Sequence, residues 1–176
     1  MRLLASTIHP DIPTSNIKDT SIKRILRRAT RGIIIRNEEI LLLYTKRYHD
    51  YSLPGGGIDE GEDNIQGLIR ELREETGAKN VRNIQAFGCY EEFRPWYKED
   101  IDIMQMQSFC YVCEIDQELD TPALEHHEIQ NGMYPVWMNI QQAIAHNEET
   151  MASSPKKGLS IERETFLLKR ILAELI

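Results

Sequence analysis

Apolar and polar residues alternate along this chain with two different periods, and the switches between them predict a mixed α/β order. The runs "ATRGIIIR" and "EEILLLYTK" are short, apolar and rich in β-branched residues. With Asn37 between them they predict the two strands of a hairpin. "VRNIQAFGCYEEF" and "IMQMQSFCYVCEI" predict two more strands, joined by "RPWYKED", whose proline and charges mark a loop. "PVWMN" reads as a short strand leading into a brief helix over "IQQAIAHN". Upstream, "LLASTI" suits a short strand and "IKRILRR" a helix, with Pro10, Pro13 and Ser15 in a loop between them. "SIERETFLLKRILAEL" places Ile161, Phe166, Leu167, Leu168, Ile171 and Leu172 at helical spacing and predicts a closing amphipathic helix. "NEETMASSPKKG", just before it, is the expected mobile connection. There is no internal repeat.

One helix carries an unusual load. "GGGIDEGEDNIQGLIRELREETGA" opens on Gly55, Gly56 and Gly57 and then crowds in Asp59, Glu60, Glu62, Asp63, Glu71, Glu74 and Glu75. Asp63 followed by Gln66 has the form of a capping box, so the helix is expected to start there. Gly77 is a natural left-handed stop. At about 100° per residue, Glu71, Glu74 and Glu75 share one arc of roughly 100°, while Ile65, Leu68, Ile69 and Leu72 take the adjoining arc toward the core. A solvated acidic face is the simplest reading of such a run. It would be eased by interleaved lysines, yet only Arg70 and Arg73 are close, and it leaves the three glycines unexplained. A hard divalent cation accounts for both, since Mg²⁺ and Mn²⁺ take carboxylate and carbonyl oxygens and glycine lets the backbone approach.

Composition narrows the partners. At 176 residues and 41% hydrophobic, the chain suits one domain with a real core. A net charge of −7 and a pI near 5.3 argue against a long basic groove for a nucleic-acid polymer. A small anionic substrate is still compatible, because a bound cation inverts the local field. No apolar run is long enough for a membrane span. "MRLLASTIHP" has too short an apolar stretch and too early a proline for a secretory signal. The expectation is therefore a cytoplasmic chain whose three cysteines stay reduced. Cys110 and Cys113 form a C-x-x-C on a strand, where a separation of three sends the thiols to opposite faces. They read as buried thiols rather than a zinc or redox pair.

The stretch from Gly56 to Ala78 resembles the Nudix box, G-x5-E-x7-R-E-U-x-E-E-x-G-U, with U a bulky apolar residue. Gly56, Glu62, Arg70-Glu71-Leu72, Glu74-Glu75 and Gly77 stand at its named positions. Ala78 is smaller than the usual last residue, a departure that touches helix-end packing and not chemistry. The order of elements is similar over roughly residues 28–146. This leaves residues 1–27 as an N-terminal extension and a C-terminal helix near 159–175, all within a single domain over 1–176. The resemblance implies an α/β/α sandwich around a mixed central sheet, with the box as a loop–helix–loop. It also implies Mg²⁺- or Mn²⁺-dependent hydrolysis of a diphosphate bond in a nucleoside diphosphate linked to another group. Glu71, Glu74 and Glu75 would be the main metal ligands, with the Gly56 carbonyl and Glu62 completing or supporting the site. Arg70 would hold a box carboxylate in place.

Substrate residues are less constrained by the pattern. Arg47, just after the second strand, stands where basic residues of this family often meet phosphates; a solvated turn is the alternative. Arg94, Trp96 and Tyr97 form, with Phe93, an aromatic and basic cluster able to stack a base, or simply to pack. Glu125 and Glu128 fall where some relatives keep a further catalytic glutamate. Lys23, Arg24, Arg27, Arg28 and Arg31 read as a solvated basic face. The substrate is expected to be a small nucleotide-sugar such as ADP-ribose or a nucleoside triphosphate, oxidised ones included. A nucleotide-binding sensor or interaction domain without hydrolysis is the competing class. A homodimer is also compatible, paired through "LLASTI" and exposed aromatics.

Overall fold

A computed structural model describes residues 1–96 and 100–176. In chain order the elements are β1 (Leu3–Ile8), a 3-10 turn (Thr14–Ile17), β2 (Arg24–Ile33), β3 (Ile35–Arg36), β4 (Glu39–Thr45) and β5 (Asp50–Ser52). They are followed by α1 (Asn64–Thr76), β6 (Arg82–Pro95), β7 (Ile103–Glu114), α2 (His126–Gln130), β8 (Met133–Asn139), α3 (Ile140–Ser153) and α4 (Ile161–Leu175). One sheet has the order β1-β6-β7-β2, with β6 and β7 antiparallel and the outer strands parallel to their neighbours. In the other, β4 pairs antiparallel with β3 at one end, β5 at the other, and β8 along its whole length.

Strand periodicity explains why a continuous apolar run is stable here. In β4, Ile40 and Leu42 point into one core, with Ile33, Leu53, Ile144 and Leu168. Leu41 points the other way, into a second core with Ile34, Leu68, Leu72 and Cys113. Each side chain is withdrawn from water on one face or the other, which stabilises by about 1.5–3 kcal/mol per large apolar group. Helix α1 covers the second core; α3 and α4 pack together over the first. The expected α/β/α layering follows from that division. Cys110 lies in the first core and Cys113 in the second, both thiols pushed up to about 12 by burial, so they are inert packing groups.

Four local expectations change. "IKRILRR" is the first half of β2 and not a helix, because ten residues from Arg24 to Ile33 pair in register with β7. The expected hairpin shrinks to β3 and β4 around Asn37, at φ 56°, since β2 leaves for the other sheet. The segment expected to be mobile is partly helix: α3 runs on to Ser153. Asn147 is fully buried there and bonds both the N–H and C=O of Tyr51, at 2.9 Å each. Ile69, expected in the core, is 40% exposed, because Leu68 and Leu72 already fill the contact with the sheet. The N-terminal "LLASTI" is indeed a strand, and it pairs with β6 of its own chain. Among the described residues no helix is long and apolar enough to cross a membrane.

Candidate active site

Helix α1 begins as its sequence predicts. The Asp63 carboxylate accepts the N–H groups of Ile65 and Gln66, both at 2.8 Å, and the Gln66 side chain accepts the Asp63 N–H at 2.9 Å. It ends on Gly77 at φ 72°. The glycine loop in front of it is stitched to β2: Gly32 N–H donates to Pro54 O at 2.8 Å, Thr30 N–H to Gly56 O at 2.9 Å, and Ile58 N–H to Arg28 O at 3.0 Å. Helix and loop then meet closely. A Cβ on Gly56 would stand 2.6 Å from Glu71 Oε2, so any larger residue there would push the Glu71 carboxylate aside.

Arg70 organises the carboxylates. Its Nε and Nη2 take the two oxygens of Glu62, at 2.8 and 3.0 Å. Nη1 donates to Glu71 Oε1 at 2.7 Å and Glu74 Oε2 at 3.2 Å, and Nη2 also reaches Gly57 O at 2.8 Å. The fork holds Glu62 down at about 2. Glu71 behaves differently: burial raises its pKa, against the pull of Arg70. Glu75 is only 5% exposed, and burial pushes it up to about 8 although the Gly55 N–H and Arg31 favour its charged form.

Arg70, Glu71, Glu74 and Glu75 border a cleft of about 310 Å³; Glu62 does not line it and reaches it only through Arg70. Glu71, Glu74 and Glu75 make one wall; Glu125, His127 and Glu128, on and just before α2, make the other; Arg27 of β2 closes a side. A larger and more apolar groove of about 1180 Å³ lies behind α1, sharing Arg70 and Glu74 but neither Glu71 nor Glu75. The smaller cleft is the chemical one, because it gathers Glu71 and Glu74 with the buried Glu75. Among the described residues no three His, Cys, Asp or Glu side chains converge as a finished metal cage. Glu71 and Glu74 turn to Arg70, and Glu75 to the Gly55 N–H, as like charges must when only protein groups neutralise them. The donor set itself, carboxylate and carbonyl oxygens with one carboxyl starved of positive charge, fits a hard divalent cation.

The remaining predicted residues divide. Glu125 and Glu128 reach the cleft, where the Glu128 side chain caps α2 by accepting the Glu125 N–H at 2.7 Å. Trp96 stands beside it through Arg27, whose guanidinium lies 5.7 Å from the indole. Arg47 does not line the cleft; it bonds Asn131 Oδ1 at 3.1 Å and lies over Tyr48. Arg94 is drawn away by Glu92 and borders a separate small pocket. Tyr97 lies outside the described residues. Of the residues expected on a solvated face, Arg31 is buried; Arg27 is exposed as expected and also borders the cleft. The alternation Arg27, Ala29, Arg31 along one face of a strand is the signal for this, and a helical reading of that stretch hides it.

Comparison with known proteins agrees with this geometry. Residues 26–159 match the NUDIX domain. The chain is 46% identical over 153 residues to an RNA pyrophosphohydrolase of Vibrio atlanticus, covering 76% of this chain and 86% of that one. It is 33% identical over 93 residues to an RNA pyrophosphohydrolase of Bartonella quintana, where it spans 47% of its own length and half of the relative's. Its fold is similar to that of a MutT protein from Bacillus halodurans, at TM-score 0.51 and 20% identity over 72% of this chain and 78% of the other. With the box carboxylates gathered at one cleft and three quarters of the chain matched, this protein belongs to the NUDIX family.

Proposed function

We propose that this chain hydrolyses a phosphoanhydride bond at the phosphorylated end of a nucleotide, with a divalent cation held at the α1 cleft. The observation that carries the reading is that Glu71, Glu74 and the buried Glu75 line one cleft, with Arg70 braced against the first two. A binding module has no use for that arrangement. NUDIX hydrolases generally use divalent metal ions, and Mg²⁺ or Mn²⁺ suits these oxygens.

In this reading Glu71, Glu74 and Glu75 hold the cation, with the Gly56 carbonyl and Glu62 in support. When bound, the cation polarises phosphoryl oxygens and makes water a better nucleophile. Arg70 keeps Glu71 and Glu74 aimed, since its Nη1 donates to both. Burial outweighs Arg31 and the Gly55 N–H at Glu75, so its carboxyl holds a proton at neutral pH, and a further positive charge in the cleft would favour its release. Glu125 and Glu128 also line the cleft, which supports a role for one of them in taking a proton from water. Arg27 meets the anionic substrate at the mouth, and Trp96 offers the adjoining ring for a base.

The substrate is one of two kinds. Small nucleoside di- and triphosphate derivatives are what the resemblance to the Nudix box implies, and the acidic composition is compatible with them; an RNA carrying a pyrophosphate linkage is suggested by what the relatives are named. Both are met if the cleft grips the terminal nucleotide, since a chain of net charge −7 offers no long basic track. The test is a substrate screen with Mg²⁺ or Mn²⁺, covering ADP-ribose, nucleoside triphosphates and a short triphosphorylated RNA, with released phosphate, pyrophosphate or monophosphate as readout. Tight binding with no product on any of them would instead assign a nucleotide sensor.

A further inference from the structure

Helix α4 begins at Ile161, beyond the matched NUDIX segment that ends at residue 159, yet it sends charge into the centre of the molecule. Arg163 and Glu164 are 4% and 1% exposed. Glu164 Oε2 accepts the N–H of Leu53 at 2.9 Å, one residue before the Pro54 that opens the glycine loop. Its Oε1 accepts from Arg163 Nε and Nη2, at 3.0 and 2.7 Å, and lies 3.8 Å from Arg31 Nε. Arg31 in turn donates through Nη1 to the carbonyls of Gly55 and Thr30. The Gly55 N–H then donates to Glu75 Oε2. A path of buried polar contacts thus runs from α4 to the most buried carboxylate of the cleft.

The path has little slack. Gly55 sits at φ 133°, and a Cβ there would stand 2.1 Å from Thr30 O. Arg163 is also held by Glu92 Oε2 at 2.6 Å, so the far end is anchored in the sheet. Pinning α4 down for its own sake needs none of this. Ile161, Leu167, Leu168 and Ile171 already bury its apolar face, and well-packed apolar groups serve that purpose as well as a buried ion pair.

We propose that Glu164 and Arg31 are positioning residues, through which the C-terminal helix fixes the Gly55 backbone and so aims Glu75 into the cleft. The proposal rests on the reading of Glu75 as a residue that holds the cation. Glu164 fixes Leu53 and counters Arg31; Arg31 fixes the Gly55 carbonyl; the peptide units around Gly55 then present a fixed N–H to Glu75 Oε2. The family match ends before α4, so this support is a feature of the C-terminal extension.

The test compares Glu164→Gln with Leu168→Ala, a core truncation on the same helix that packs in the core with Leu53 but makes none of the polar contacts of the path, in the full-length protein well below melting. Amide exchange is read at Gly55 relative to Leu42 of β4, and Mn²⁺ affinity by electron paramagnetic resonance without substrate. Glu164→Gln is expected to speed Gly55 exchange at least about tenfold relative to Leu42 and to weaken Mn²⁺ binding several-fold. It should also lower kcat about tenfold or more with KM within about twofold. Leu168→Ala should lower Tm at least as far while leaving all three readouts near wild type. Unchanged Gly55 exchange in Glu164→Gln, or equal changes in both variants, overturns the proposal. Should Glu164→Gln not fold, Arg31→Lys, which keeps the charge but loses the fork, is measured in the same way, and the same outcomes support or overturn the relay. If the wild-type protein turns over none of the substrates, the proposed activity fails, while exchange and Mn²⁺ binding still judge the relay.

Discussion

Gly55 and Glu75 are 20 residues apart in sequence, and the N–H of the first donates directly to Oε2 of the second. That bond ties the loop that brings backbone into the cleft to the last carboxylate of the helix that carries the charge. Because Glu75 is buried among few cations, its carboxyl titrates near 8, far from the range of an exposed glutamate. A carboxyl so placed is a poor structural choice and a good cation site.

Glu75→Gln tests this directly. The amide oxygen can still accept the Gly55 N–H, so the fold should persist, while an uncharged ligand serves a divalent cation poorly. The expected loss in kcat is at least about a hundredfold, with Tm equal to wild type or higher in metal-free buffer. Glu60→Gln, an exposed loop change at an unspecified position of the box, should be nearly silent. Wild-type turnover in Glu75→Gln would remove the cation assignment.

Chelation addresses the same site without mutation. Hydrolysis should vanish with excess EDTA and return with millimolar Mg²⁺ or less Mn²⁺. Either ion should raise Tm in the wild type, since a ligand that binds only the folded chain stabilises it. The shift should be much smaller in Glu75→Gln. Full activity in EDTA would exclude the proposed chemistry.

Arg27 and Trp96 predict a division between binding and chemistry. Trp96→Ala should raise KM more than it lowers kcat, because stacking acts about equally on ground and transition states. A non-hydrolysed analogue should change tryptophan fluorescence in the wild type and not in Trp96→Ala, where only Trp137 emits. Arg27→Ala should raise KM about tenfold or more by removing a cation at the cleft mouth. Unchanged KM in both variants, with the fluorescence change intact in Trp96→Ala, would assign the pair to packing.

Asp50 predicts how stability varies with pH. Burial, with Glu164 adding to it and Arg163 opposing, raises its carboxyl to about 6 from an ordinary 3.8. Between those values the folded chain holds a proton that the unfolded chain has lost, so stability falls as pH rises from about 4 to 6. Above 6 the whole penalty stands, a few kcal/mol at about 1.4 kcal/mol per unit. Asp50→Asn should therefore gain on wild type as pH rises through that window, and the gap should be flat from pH 7 to 8. Urea unfolding at pH 4, 6 and 8 measures it; a pH-independent gap contradicts the assignment.

Helix α1 is legible in the sequence because its signals are local. The Asp63–Gln66 box, the Gly77 stop and the spacing of Glu71, Glu74 and Glu75 act within a few residues of each other, and all of them stand in the fold. The apolar strands are legible for the same reason: alternation alone divides Leu41 from Leu42. Other features are set by partners far along the chain. "IKRILRR" has a composition a helix would accept, and only pairing with β7 some 80 residues later makes it a strand; that choice puts Arg27 at the cleft. Arg94 has the local company of a substrate contact, but Glu92 claims it, and Arg163 holds Glu92 in turn. Glu164 is, by pattern, one more charge on an amphipathic helix. Its role depends on reaching Leu53, 111 residues away, and no local pattern encodes that distance. Local hydrogen bonding and periodicity determined where the cleft's carboxylates sit on their helix; long-range pairing and burial decided what surrounds them and how strongly they hold their protons.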